Sequence, residues 1–523
     1  MSASREKKTR QEKAASGIPD MKDIHAAEEK AKQRRSNWLY GSIAVIFVVV
    51  AVVLLVWNSN VIQRSKTAVS VEGEKYSAAE VDYFYHMSYN SIANSQSASY
   101  LGLDPSKPLQ EQTMSDTAKM LLGIAGDEEM TFHQYFLNSA KEGLVEMTVM
   151  LRKAQEDGFT FTDEMQAEAD ETIAALDGYA KQNGMSRGAY LKALYGNNMT
   201  TGTFEKLLHN TILVSYYIRN YRENLTYTDD QIDEYYQQHT SDFDVVDYEY
   251  IYFKGTAPAT TDEEGNSVPA TDEANAAAAE EAKKLSAEAL SRFKNGEDLE
   301  EIAKDYEIAT YFNQDDAANY GDTMSGWLFD EARREGDADV VESNGNCYLM
   351  LFHERGRNDY LTVNVRHILC EVDTSGLDKE ADDYEDKLAE LKDEKKSEAD
   401  KIMQEWKDAG GTEDAFAELA EKYSDDAGSK TNGGLYTQVS KGWAAPVFND
   451  WIFDDDREVG DSDILLAEGR YIGYHIMYFS GYDVPYWTVQ VKGAMSQSDY
   501  NQWHSEAIKD ITAEEHGGIK YVG

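Results

Sequence analysis

Three polar side chains that can exchange hydrogen bonds stand in short motifs of the last third of the chain. His367 lies in the run VRHIL, His475 lies in GYHI, and Asp426 lies between them in YSDD, followed by a glycine pair at 433–434. A neutral imidazole donates from one ring nitrogen and accepts at the other, so histidines can fix tautomers along a chain of hydrogen bonds. The histidines show no metal-ligand spacing, and we expect neither a metal nor another cofactor.

The order of these motifs over residues 361–482 resembles the parvulin-type (PpiC, or rotamase) peptidyl-prolyl cis-trans isomerases. The resemblance implies two histidines on adjacent central strands, paired beneath a pocket, with a cysteine or aspartate beside the substrate bond. Carried over to this chain, the catalytic residues are His367, Asp426 and His475. Rotation about an X-Pro bond must overcome a barrier of about 18–20 kcal/mol. An apolar pocket lowers this barrier because it disfavours the charge-separated form of the amide, so neither a nucleophile nor a metal is needed.

The substrate pocket implied by the resemblance is only partly kept. The residues expected there are Leu435, Gln438, Ala444, Phe448 and Tyr474. Gln438 and Ala444 stand where the family has an aromatic residue and a methionine, whereas Phe448 matches the remaining aromatic wall. Weak proline binding follows unless Trp443 or Trp451 refills the space. No basic cluster follows the first strand, which argues against a phosphoserine-proline preference.

One apolar segment near the N-terminus has the length of a membrane span. Residues 38–57 are twenty uncharged residues with a tryptophan at each end, which suits a hydrocarbon core of about 30 Å. The arm at residues 1–37 has ten basic and six acidic residues, so the positive-inside bias predicts a cytoplasmic N-terminus and extracytoplasmic C-terminal domains. A cleaved signal peptide is the alternative, but no clear A-x-A site follows the segment. We predict a single-pass protein of the cell membrane.

The fold class predicted for the rest of the chain is α+β. The predicted organisation is a basic arm at 1–37, a transmembrane helix at 38–57, a helical module at 62–243, two parvulin-like domains at 244–358 and 361–482, and a tail at 483–523. Thr162 and Thr228 are predicted helix caps in the helical module, which resembles the SurA-N-like chaperone module of PrsA/SurA-like foldases. The tail is predicted to contain a strand at 486–492 and a helix at 500–511.

The first parvulin-like domain is predicted because the chain repeats. VDYEYIYF faces VNVRHILC when the two segments are superposed, and an apolar strand closes each of them. Two copies of one fold explain this similarity economically. The first copy is degenerate, since it loses the polar residues: Tyr250 faces His367, Ala309 faces Asp426, and Leu349 faces His475.

Composition narrows the function further. A formal net charge of −46 argues against nucleic-acid binding. The two cysteines, Cys347 and Cys370, both lie in strand-like apolar runs, so buried free thiols are favoured over a bridge. The leading hypothesis is an anchored extracytoplasmic peptidyl-prolyl isomerase and chaperone whose partners are unfolded or newly exported proteins with X-Pro bonds. The alternative is a non-catalytic holdase or assembly factor with a vestigial isomerase fold.

Overall fold

The computed structural model describes residues 48–49, 61–95, 97–126, 129–261, 267–469 and 472–523. The predicted arm at 1–37 and the predicted transmembrane helix at 38–57, except Val48 and Val49, lie outside the described residues. Within the described ranges, no helix is both long and apolar enough to cross a membrane. The chain divides into two compact units, of which one comprises the residues up to Asn224 with Tyr500–Gly523 and the other comprises Leu225–Asp499.

Helices dominate the first unit, and both units contain antiparallel sheets. The helices are Val61–Arg64, Ala78–Ala93, Ser97–Leu101, Asp116–Leu121, Phe132–Glu156, Asp163–Gln182, Arg187–Tyr195, Thr201–Glu223, Asp229–Gln238, Thr240–Phe243, Asp272–Lys294, Leu299–Ala303, Thr323–Leu328, Tyr384–Asp408, Glu413–Tyr423, Pro446–Ile452 and Tyr486–Ile508. The strands are β1 (Thr67–Val71), β2 (Glu74–Ser77), β3 (Asp244–Phe253), β4 (Thr260–Thr261), β5 (Ser267–Val268), β6 (Ala309–Ala318), β7 (Ala338–Ser343), β8 (Asn346–Arg357), β9 (Leu361–Glu371), β10 (Leu435–Val439), β11 (Ser462–Glu468), β12 (Ile472–Pro485) and β13 (Ala513–Glu515).

The first unit is a helical module closed by a small sheet of order β13-β1-β2. Its core includes Phe136, Leu144 and Met150, which are completely buried on the 25-residue helix Phe132–Glu156. The predicted cap at Thr162 is confirmed, because its side chain accepts a hydrogen bond from the backbone of Met165. The predicted cap at Thr228, which begins the helix Asp229–Gln238 of the second unit, is confirmed as a capping box.

The tail is helical up to Ile508, which agrees with the helix predicted at 500–511 over most of its length but not with the strand predicted before it. Residues 486–492 are helical and belong to the helix Tyr486–Ile508, not to a strand. Trp487 and Val491 are buried four residues apart, so they share one helix face and pack with Ile232 and Tyr236. A short run of aromatic and β-branched residues satisfies both periodicities, and tertiary packing decides between them.

The second unit contains two four-stranded antiparallel sheets with the same topology. Their strand orders are β6-β3-β8-β7 and β10-β9-β12-β11, so corresponding strands occupy corresponding places. Cys347 is buried in the first sheet and Cys370 in the second, and both are free, which confirms the prediction of buried thiols.

Each of the two sheets is accompanied by the same arrangement of an arginine, a tryptophan and an aspartate, which we call the arginine–tryptophan corner. In the first, Arg333 lies 3.7 Å from the ring centroid of Trp327 and donates to its backbone carbonyl at 3.1 Å. In the second, Arg457 lies 4.1 Å from the ring centroid of Trp451 and donates to its carbonyl at 2.9 Å. An aspartate four residues after each arginine completes an ion pair.

Strand register corrects one predicted correspondence between the sheets. Tyr250 pairs with Met350, as His367 pairs with Met477. Two positions before Met477 is His475, and two positions before Met350 is Tyr348. Tyr348, not Leu349, therefore occupies the place of His475; the sequence superposition was one residue out of step along this strand.

Side chains of the second sheet alternate between two different environments. Ile368, Cys370 and Ile476 face the helices Tyr384–Asp408 and Glu413–Tyr423. Residues of the opposite face, such as Val365 and Met477, pack with the short helix Pro446–Ile452. His367 and His475 are each one residue away from Ile368 and Ile476, so both side chains lie on the opposite face, the one that packs with Pro446–Ile452.

Candidate active site

The two histidines lie on the central, neighbouring strands of the second sheet. His367 is on β9 and His475 on β12, where His475 pairs with Leu369. The Nδ1 atoms of the two imidazoles lie 3.0 Å apart, and the rings are nearly parallel, at 11°. The structure therefore brings together the pair implied by the resemblance.

Asp426 extends this pair into a network. Its Oδ2 lies 2.8 Å from His367 Nε2. The same oxygen accepts hydrogen bonds from the hydroxyl of Ser429 and, at 3.0 Å, from the hydroxyl of Tyr436. Its other oxygen accepts from the backbone of Gly428 at 3.2 Å. All of these bonds favour the ionised carboxylate.

Electrostatics fixes the charge states of Asp426 and His475. The hydrogen bond with His367, followed by those with Ser429 and Tyr436, holds the pKa of Asp426 well below its usual range. Burial lowers the pKa of His475 to about 3, with a further contribution from His367. Asp426 is consequently an acceptor, so His367 Nε2–H donates to it. The hydrogen bond between the two Nδ1 atoms joins His367 to a neutral His475.

The glycine pair allows β10 to approach β9 beneath this network. Gly433 and Gly434 have φ values of +71° and +72°, in the left-handed region that glycine adopts freely. A Cβ atom on Gly434 would lie 2.2 Å from the carbonyl oxygen of His367. The backbone N–H of His367 donates to the carbonyl of Gly434 at 2.9 Å. The second glycine is therefore required by a backbone contact at the site itself.

A cavity of about 360 Å³ opens above the network. Its apolar surface includes Val365, Phe448 and Met477, while Trp443 and Glu468 also line it. The ring of Phe448 lies edge-on to His475, with centroids 4.5 Å apart. The arrangement combines an apolar recess with a fixed polar network, as an isomerisation without covalent chemistry requires.

The predicted pocket residues separate into two groups. Ala444 and Phe448 line the cavity, whereas Leu435, Gln438 and Tyr474 do not. Gln438 is exposed, with a φ of +53°, where the pairing of β10 with β9 shifts register. Tyr474 packs with the cluster on the helix-facing side of the sheet. The assignment of these three residues to the pocket is corrected accordingly.

Sequence reasoning missed Tyr436 and Ser429. Tyr436 lines the cavity two positions before Gln438, on the face opposite to Leu435. Strand alternation after the glycine pair would have identified Tyr436, because it pairs with Val365 before the register shift that follows it. Of the two tryptophans considered as replacements, Trp443 lines the cavity, whereas Trp451 is buried in the core beside it.

Comparisons with known families agree with this architecture. Residues 348–479 match the PPIC-type PPIase domain, and residues 32–218 match the SurA-like N-terminal domain. The chain therefore contains a PPIC-type PPIase domain and a SurA-like N-terminal domain, as the resemblance predicted.

Individual relatives are distant. The chaperone SurA of Methylobacillus flagellatus is 27% identical over 326 residues, which cover 59% of this chain and 64%, just under two thirds, of that relative. The crystal structure of foldase protein PrsA from Streptococcus pneumoniae is 13% identical, covering 74% of this chain and 90% of that chain, with a TM-score of 0.20. A peptidylprolyl isomerase (PrsA) from Bacillus cereus is 14% identical, covering 76% and 94%, with a TM-score of 0.18. TM-scores of this size do not establish a shared overall shape.

Proposed function

We propose that this chain is a membrane-anchored, extracytoplasmic peptidyl-prolyl cis-trans isomerase and chaperone that assists the folding of exported proteins. The observation that carries the proposal is the network of His367, Asp426 and His475 beneath the cavity of the PPIC-type domain.

The network assists rotation by orientation and electrostatics. A proline ring held against Val365, Met477 and Phe448 brings its amide into an apolar recess, where loss of the charge-separated resonance form costs less. Each 1.4 kcal/mol removed from the barrier raises the rate about tenfold. Asp426 stays ionised and shapes the field beside the twisting bond, while the two imidazoles hold it in place.

A non-catalytic holdase is the second candidate, and the composition of the pocket favours it. Ala444 contributes a small wall to the cavity, Gln438 contributes none, and Trp443 is 52% exposed. A wide and partly wet pocket binds a proline ring weakly, because less apolar surface leaves water. The network can then persist in a fold that only binds clients.

The sheet β6-β3-β8-β7 belongs, in this proposal, to a degenerate parvulin-like domain at 244–358. The shared strand order and the repeated arginine–tryptophan corner support a common origin. Tyr250 and Tyr348 stand in place of the two histidines, so this copy acts as a binding or spacer module. Catalysis belongs to the copy at 361–482.

Location and partners are inferred from the sequence. The apolar segment at 38–57 and the basic arm at 1–37 support a single-pass anchor with the folded units outside the cytoplasm. The SurA-like N-terminal domain supports unfolded protein clients. External protease added to intact spheroplasts should then degrade both folded units, whereas protection of these units until lysis would contradict this orientation.

The isomerase proposal is tested with proline peptides and the full chain in detergent micelles. His367→Ala and Asp426→Ala should lower kcat/KM strongly, because each breaks the network. His353→Ala is the matched control, since it removes a histidine–carboxylate pair of 2.9 Å, with Glu249, from the other sheet. Equal, slow rates for wild type and all three variants would refute isomerase function.

The holdase candidate is tested by suppression of aggregation of a chemically unfolded protein. Under the leading proposal, wild type and His367→Ala suppress aggregation equally, and only wild type accelerates proline isomerisation. Equal suppression together with no acceleration by wild type would establish the holdase alternative.

A further inference from the structure

Tyr436 connects the wall of the cavity to the polar network. Its hydroxyl donates to Asp426 Oδ2 at 3.0 Å. Its ring centroid lies 5.3 Å from that of His367 and 4.8 Å from that of Trp443, and the side chain lines the cavity. One residue thus contacts the carboxylate, an imidazole and the space above them.

Three donors converge on a single oxygen of Asp426. His367 Nε2–H, the hydroxyl of Ser429 and the hydroxyl of Tyr436 all reach Oδ2. Because Oδ1 has the backbone N–H of Gly428 as a donor, rotation of the carboxylate would break bonds at both oxygens. Among the three donors, Tyr436 approaches from β10, while Ser429 lies three residues from Asp426 along the same loop.

The ring of Tyr436 also adds aromatic surface to the wall of the cavity. Ala444 provides only a methyl group to the wall. Tyr436 and Trp443, whose rings are in contact, form the aromatic side of the cavity. Phe448 lines the same cavity, so three aromatic side chains are available to a proline ring bound there.

We propose that Tyr436 is a positioning residue of the isomerase site: its hydroxyl holds the Asp426 carboxylate in the orientation that receives His367, and its ring forms a wall of the proline pocket. This inference rests on the proposed isomerase function. The hydroxyl then affects kcat, the rate at which bound substrate isomerises, and the ring affects substrate binding. Substitution can separate these two roles.

Tyr436→Phe and Tyr436→Leu separate them in the full chain in detergent micelles. Tyr436→Phe keeps the ring and should lower kcat about tenfold, the equivalent of about 1.4 kcal/mol, with KM unchanged. Tyr436→Leu should lower kcat similarly and also raise KM. Tyr227→Phe is the matched control, because it removes a tyrosine–aspartate hydrogen bond of 2.9 Å, with Asp499, away from the cavity.

A spectroscopic measurement reads the positioning role without turnover. With selectively ¹⁵N-labelled histidine, the imidazole signals of His367 should shift in Tyr436→Phe and stay in place in Tyr227→Phe. A Tyr436→Phe protein with wild-type kcat and unshifted signals would overturn the inference. Should wild type itself show no isomerisation, the proposed function fails, and the shift of the His367 signals still decides whether Tyr436 positions the network.

Discussion

Replacing Gly434 by alanine tests how strictly the backbone beneath the site is determined. Two effects add at this position. Its φ of +72° places any other residue in the left-handed region, which costs about 1–2 kcal/mol. The new Cβ atom would also lie 2.2 Å from the carbonyl oxygen of His367, a backbone atom that cannot turn away.

Gly442→Ala isolates the second effect. Gly442 has a φ of +77° in the same domain, but a Cβ atom there meets nothing within 4 Å. Both variants share the conformational cost, and only Gly434→Ala must separate β10 from β9. The loss of the hydrogen bond from His367 N–H to the Gly434 carbonyl costs about 1 kcal/mol. The clash of the new Cβ atom with the backbone costs a further 1–3 kcal/mol, roughly, as overpacking does elsewhere. We expect Gly434→Ala to be less stable than Gly442→Ala by about 2–4 kcal/mol.

Hydrogen exchange of the β9 amides measures this difference locally, because the chain has two units and a global transition would mix them. A difference of 2 kcal/mol speeds exchange about thirtyfold. The rate of proline isomerisation should also be lower in Gly434→Ala, because the side chain of His367 moves with its backbone. Equal exchange rates in the two alanine variants would refute the reasoning, because the clash would then relax without cost.

Three further outcomes follow from charge and exposure. The pKa of His475 in the folded chain is about 3, against an ordinary 6.5, so only the unfolded chain binds this proton as the pH falls from 6.5 towards 3, and stability is lost in that window. His475→Gln should therefore reduce the dependence of β9 amide exchange on pH, whereas an unchanged dependence would count against a buried neutral imidazole. The lowered pKa of Asp426 gives stability that is present above an ordinary pKa of 3.8 and lost below it, so the stability difference between wild type and Asp426→Asn should stay constant from about pH 7 to pH 5 and shrink under stronger acid. Trp443 is 52% exposed and lines the cavity, so Trp443→Ala should raise KM for proline peptides while leaving the exchange of β9 unchanged; an unaltered KM would exclude it from the pocket.

The polar residues of the site could be predicted because few conditions determine them. His367 and His475 stand in apolar runs that form the central strands, and alternation places both side chains on one face. The YSDD loop and the glycine pair bring Asp426 to the same place. The family model at 348–479 agrees with the recognition based on these motifs.

The pocket wall was less predictable because it depends on backbone irregularity. A bulge between Tyr436 and Val439 changes which residues of β10 face the cavity. The family resemblance placed Gln438 in the wall, although its backbone is left-handed and its side chain is exposed. Register also explains why Leu349 was matched to His475 in place of Tyr348, since a one-residue error in register exchanges the two faces of a strand.

The comparison of the two sheets bears on why the histidine network exists. The first sheet forms with Tyr250 stacked on Phe312, at 4.8 Å, and Tyr348 beside them. Aromatic packing therefore satisfies this position of the fold, and the strand order and the arginine–tryptophan corner are the same without histidines. In the second sheet, burial lowers the pKa of His475 and so works against its protonation. Buried polar networks are often no more stabilising than well-packed apolar side chains. Stability alone thus gives little reason for a buried His475, which agrees with the role proposed for the network at the cavity.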